Sequence, residues 1–101
     1  MALAHKMVVL EKAAQHLTPT VLELGGKSPV YVDESADLPL AARRIVFGKL
    51  LCAGQTCVAP DYVLAHRSIK AHLMTLLERE FERQTGGRPF PAGYPHIVND
   101  R

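Results

Sequence analysis

No apolar run in the 101 residues approaches the roughly 20 needed to span a bilayer. The stretch from Met1 to Leu17 carries Lys6, Glu11 and Lys12 inside its apolar pattern. A signal peptide needs an uninterrupted apolar stretch, so this is not one. Charge of one sign is also scarce: 12 basic residues face 10 acidic ones, and only Arg43-Arg44 cluster. That leaves no electrostatic footprint for nucleic acid. Cysteine is rarer still. Cys52 and Cys57 stand five apart, which is neither Cys-x-x-Cys nor a zinc-knuckle spacing. Without a secretory leader, a reduced, cytoplasmic setting is expected. The five histidines, His5, His16, His66, His72 and His96, form no i,i+4 pair and no Cys/His metal spacing. All five read as structural or solvated, and no metal is expected. Internal repeats and low-complexity tracts are absent.

What is present is the composition of a globular protein, 48% apolar and 22% charged. A chain this short makes one small domain at most, burying roughly 60–65% of its unfolded surface. Leu3, Met7, Leu10, Ala14 and Leu17 recur at helical spacing, and Thr18-Pro19 ends that helix. "TVLEL", residues 20–24, predicts a short strand bounded by Gly25-Gly26. "PVYVD", Pro29 to Asp33, predicts a second. Asp37 is a helix N-cap, with Pro39 in the first turn. Leu38, Ala41, Ala42, Ile45 and Cys52 share one face of that helix, and Gly54 stops it. On this reading Cys52 is core. "DYVLAH" predicts a third strand, and Ser68 caps a helix striped by Ile69, Leu73, Leu76, Leu77 and Phe81. Gly86-Gly87 ends it. The proline-rich tail, residues 88–101, reads as a connecting loop. Strand, helix, strand, helix from Pro29 to Gln84 is a βαβα unit with a parallel sheet, which needs cover on both faces. Such a small unit reads as a slice of a larger α/β domain.

Two residues invite chemistry. Packing is the default account of a free cysteine. Cys57, however, sits in "AGQTCVAP" among small and polar neighbours, between a helix end and a strand. No basic side chain is close to it in sequence, so backbone N–H groups would have to steady a thiolate. Glu23, in "LELGGKSP", ends the predicted strand against two glycines. It is either an exposed strand-end carboxylate, with Lys27 as its nearest opposite charge, or a general base raised in pKa by partial burial. Gly-Gly-Lys-Ser is not a phosphate loop, because the four-residue spacer is missing.

"LTPTVLELGGKSPVYVDESADL" and "AGQTCVAPDYVLAH" together resemble the aldehyde dehydrogenase superfamily, most closely its class 3 and fatty aldehyde branch. The resemblance runs from about Met7 to the end, where "HIVNDR" is similar to the family's stretch after the catalytic strand and helix. It implies that Cys57 is the nucleophile and Glu23 the general base. A thiolate adds to the aldehyde, hydride leaves to NAD or NADP, and a carboxylate activates water to release the acid from the thioester. The resemblance also implies that the Cys57 N–H is an oxyanion donor and that the backbone at Leu24 and Gly25 lies near the nicotinamide.

The expected fold is α/β, a partial aldehyde dehydrogenase catalytic domain: a βαβα unit preceded by a helix and a short strand. Residues 1–28 would be the end of a cofactor-domain helix and a linker strand, and residues 29–101 part of the catalytic domain. The cofactor-binding half and the family's oligomerising arm find no counterpart in this sequence. The implied function is oxidation of an aldehyde to a carboxylic acid with NAD or NADP, in a parent enzyme that is a homo-oligomer. The alternative is a non-catalytic truncated fragment, inactive by itself and needing a partner chain for stability.

Overall fold

The computed structural model describes residues 3–87 and 93–98. Its elements are α1 (Leu3–Gln15), β1 (Pro29–Val32), α2 (Leu38–Leu50), β2 (Tyr62–Ala65) and α3 (Lys70–Thr85), with a 3-10 turn at Leu51–Gly54. The ends of the tail, residues 88–92 and 99–101, lie outside the described residues, and residues 93–98 form no helix or strand.

β1 and β2 pair in parallel, with Pro29 opposite Tyr62 and Val32 opposite Ala65. α2 is the crossover between them, as parallel pairing requires. Its start is set locally: Asp37 Oδ1 accepts a hydrogen bond from the Leu40 N–H at 3.0 Å, and Pro39 stands in the first turn. α3 ends on Gly86, whose φ of 68° is left-handed and whose N–H returns to the Glu82 carbonyl.

The core is one-sided. Val32, Leu38, Ala42, Ile69 and Leu73 are buried together, with Val30, Ile45, Val63, Leu76 and Leu77 packed around them. Alternation along the strands sends Val30, Val32, Val63 and Ala65 inward and leaves Tyr31 and Leu64 exposed on the other face. The α2 and α3 stripes read from the sequence face the core, except Cys52, which is exposed, and Phe81, which is 39% exposed.

The apolar stripe of α1 is uncovered, with Met7 and Leu10 exposed. Three expectations are corrected. Residues 20–24 are not a strand. A strand exists by its ladder, and this segment has no strand partner among the described residues; Val21 is 97% exposed. Cys52 is neither helical nor core. α2 ends at Leu50, and Cys52 and Ala53 follow with φ of 50° and 56°, leaving the Cys52 thiol exposed. Periodicity cannot see where a helix unwinds into a tighter turn. Ser68 does not cap α3: Ile69 holds that position without a side-chain bond, and the Ser68 hydroxyl turns to His66 and Glu34.

Candidate active site

The register that pairs Pro29 with Tyr62 brings together the two loops that precede these strands. The Asp61 N–H donates to the Ser28 carbonyl at 2.9 Å, and Lys27 pairs with Asp61 at 3.5 Å. Lys27 thus takes Asp61 as partner rather than Glu23. One step further back, the Ser28 hydroxyl donates to the Cys57 carbonyl at 3.3 Å. A Cβ on Gly26 would stand 3.4 Å from that same carbonyl oxygen, so the two chains run close there. Parallel pairing therefore places "LELGGKS" against "GQTC".

The loop around Cys57 is held from several sides. The Ala59 N–H closes a turn to the Thr56 carbonyl at 2.9 Å, and Ala59 is buried. A Cβ on Gly48 of α2 would meet the Pro60 ring at 3.3 Å, so the helix accepts that ring where it has no side chain. Gln55, two residues before the thiol, makes three hydrogen bonds. Its Nε2 donates to the Cys52 carbonyl at 2.8 Å and to the His96 carbonyl at 3.2 Å, and its Oε1 accepts from the Val98 N–H at 2.9 Å. Nothing in the sequence marked Gln55 apart, because two of its three partners lie 41 and 43 residues downstream.

Cys57, Glu23, Leu24 and Gly25 line one open cleft of ≈ 670 Å³. All four sequence candidates are therefore brought to one place. His5 and Lys6 of α1 line it too. Both come from the far end of the chain, which spacing could not reveal. The Cys57 thiol is exposed, and so is Glu23. Of the two readings of Glu23, the structure shows the exposed carboxylate and not the partial burial, residues 20–24 all being exposed. Leu24 gives the cleft an exposed apolar side chain, and beside Gly25 the space is open, since an added Cβ would meet nothing within 4 Å.

The opposite ends of the strands hold a second polar group. His66 Nδ1 lies 2.7 Å from the Ser68 hydroxyl and 3.3 Å from Glu34 Oε2. Serine and carboxylate meet the same ring nitrogen, whereas a relay needs one on each. This cluster is a surface clasp between two loops, not a hydrolase site. Among the described residues no group of His, Cys, Asp or Glu is arranged to hold a metal ion, and no helix is long and apolar enough to cross a membrane.

Comparison with known proteins gives one family. The profile of the aldehyde dehydrogenase family matches residues 4–95. The chain is 47% identical over 95 residues to the rat aldehyde dehydrogenase, dimeric NADP-preferring, covering 93% of this chain and 21% of that protein. It is 54% identical over 95 residues to the 4,4'-diaponeurosporen-aldehyde dehydrogenase of Staphylococcus aureus, covering 91% of this chain and 20% of that protein. Among solved structures, the substrate-bound state of Staphylococcus aureus AldH superimposes with a TM-score of 0.80 at 44% identity. That match covers 95% of this chain and 21% of the other. The chain thus spans about a fifth of the length of the curated relatives it matches.

Proposed function

The chain belongs to the aldehyde dehydrogenase family, and from that premise we propose that it carries the nucleophile and the general base of an enzyme oxidising an aldehyde to a carboxylic acid with NAD or NADP. The supporting observation is that Cys57 and Glu23, 34 positions apart in the chain, line one cleft. In this reading residues 1–28 end a cofactor-domain helix and its linker, and residues 29–101 are part of the catalytic domain.

The Cys57 thiolate adds to the aldehyde carbon, forming a C–S bond and a thiohemiacetal. The Cys57 N–H donates to the oxygen that gains charge. Leu24 and the Gly25 backbone would hold the nicotinamide end of the cofactor, which when bound accepts the hydride. The acyl group left on sulfur is a thioester, a labile acyl carrier. Glu23 removes a proton from water, the water oxygen adds to the acyl carbon, and the C–S bond breaks to release the acid and the thiolate. A dimeric, NADP-preferring relative supports NADP and a homo-oligomeric parent.

Substitution in the intact enzyme carrying this segment separates the two roles. Cys57→Ser abolishes turnover, because a serine hydroxyl without a paired base stays protonated. Glu23→Gln keeps the thiol and loses the base. It releases one burst of reduced nicotinamide per site and then stalls, with steady turnover down by about 10²–10⁴-fold. Stopped-flow absorbance reads both phases. Near-normal steady turnover in Glu23→Gln would return Glu23 to an ordinary surface carboxylate.

A second reading is favoured by a different observation, the exposed outer sheet face at Tyr31 and Leu64 and the uncovered apolar face of α1. The 101-residue chain by itself is then non-catalytic and takes its stability from a partner chain that covers these surfaces.

A further inference from the structure

We propose that Gln55 is a positioning residue, whose side-chain amide ties the Cys57 loop to the segment His96–Val98. The claim rests on the reading of Cys57 as nucleophile. The geometry fixes which end of the amide is which. One end faces two carbonyl oxygens, those of Cys52 and His96, and must be the NH₂ group. The other end faces the Val98 N–H and must be the oxygen.

The His96 carbonyl and the Val98 N–H are the alternating backbone groups that a neighbouring strand would engage. The Gln55 carboxamide takes the place of the N–H and C=O of one residue in such a strand. Its third bond, to the Cys52 carbonyl, steadies the left-handed turn at Cys52 and Ala53 just before the thiol. Three bonds from one side chain use both amide hydrogens and the oxygen. On the other side of the loop the Ser28 hydroxyl holds the Cys57 carbonyl. The thiol is thus carried between two clamps from distant parts of the chain. A loop displaced by about 1 Å can cost 10²-fold in rate, so the clamp acts on chemistry more than on aldehyde binding.

Amide hydrogen exchange and steady-state kinetics test the proposal in the intact protein carrying this segment. In the unsubstituted protein the Val98 N–H exchanges several-fold slower than a free amide; exchange at the free rate overturns the bridge without any variant. Gln55→Met removes all three bonds and speeds Val98 exchange by roughly fivefold, the scale of one such hydrogen bond. Gln55→Glu keeps an oxygen for the Val98 N–H and loses both donors, so Val98 exchange stays slow. Both variants lose the bond to Cys52, and both lower kcat by about 10-fold or more, up to 10²-fold, with KM for the aldehyde little changed. Unchanged kcat in both variants overturns the positioning role while leaving Cys57 as nucleophile. Retained turnover in Cys57→Ala instead overturns the nucleophile reading and the catalytic role of the clamp, while slow Val98 exchange persists.

Discussion

Gly54 shows how a single residue is chosen by its backbone. The turn Leu51–Gly54 reverses the chain after α2 through three successive left-handed residues, Cys52, Ala53 and Gly54, with φ of 50°, 56° and 74°. Two of them bear side chains and carry the associated strain. At Gly54 there is a second constraint: an added Cβ would lie 3.2 Å from Lys49 Cε and 3.3 Å from the Lys49 carbonyl oxygen. Gly86 is also left-handed, at φ 68°, but an added Cβ there would meet nothing within 4 Å. Gly54→Ala should therefore cost about 1–2 kcal/mol from backbone strain plus the cost of the crowding, and Gly86→Ala the strain alone. Urea unfolding of the two variants checks the order, and a larger loss at Gly86 would refute it. The same turn explains Cys52. As a helical residue it would face the core, whereas in the turn its thiol faces solvent.

The pair α2 and α3 is the best-buried part of the molecule, and one carboxylate spans it. Glu80 of α3 accepts from Arg83 at 2.6 and 2.9 Å, receives Gln84 at 3.3 Å, and stands 4.0 Å from Arg43 of α2. Gln84 also donates to the Arg43 carbonyl at 3.1 Å. The Arg83 hydrogen bonds hold the Glu80 carboxyl below its ordinary 4.5. A lowered folded value means that this stabilisation is fully present above 4.5 and fades as pH falls through the lowered value. Glu80→Gln should thus melt lower than the unsubstituted chain at pH 7, and the gap should close on acidification below pH 4.5. A gap that persists unchanged at low pH would show that the charge is not what Glu80 contributes. At the loops that follow the strands, Asp33 is held low mainly by the Ser35 N–H and then by the Ser35 hydroxyl, a local turn, with His66 adding a smaller lowering from across the strands.

The whole molecule is more open than its length suggests. Its radius of gyration is 18.0 Å, where a compact domain of 100 residues has about 13 Å. α1 stands with Met7, Val8 and Val9 exposed, and the sheet is covered on one face only. Parallel sheets are stable when both faces are covered, so the outer face is expected to drive self-association of the chain. Tyr31 and Leu64 are direct neighbours across the two strands and form its centre. Replacing both with lysine should raise the concentration at which the chain stays monomeric by about tenfold or more, since each buried apolar side chain is worth about 1.5–3 kcal/mol. Sedimentation velocity reads this directly, with circular dichroism confirming that the helices persist. Self-association unchanged by the double substitution would place the adhesive surface elsewhere, with α1 next in line.

What the sequence by itself determined is everything whose cause lies within a few residues. The Asp37 cap, the proline after it, the stripe from Ile69 to Leu77 and the Gly86 stop specify α2 and α3 because caps, periodicity and left-handed turns are local. "PVYVD" and "DYVLAH" were legible as strands, and the helix between them made their pairing parallel. Tertiary structure decided the rest, because a hydrogen-bond partner or a covering surface is not written in the neighbouring residues. "TVLEL" has strand composition and joins no ladder among the described residues. Ser68 has a capping side chain and spends it on His66. Cys57 and Glu23 share a cleft because of a register between strands, and Gln55 steadies the loop through groups more than 40 residues away.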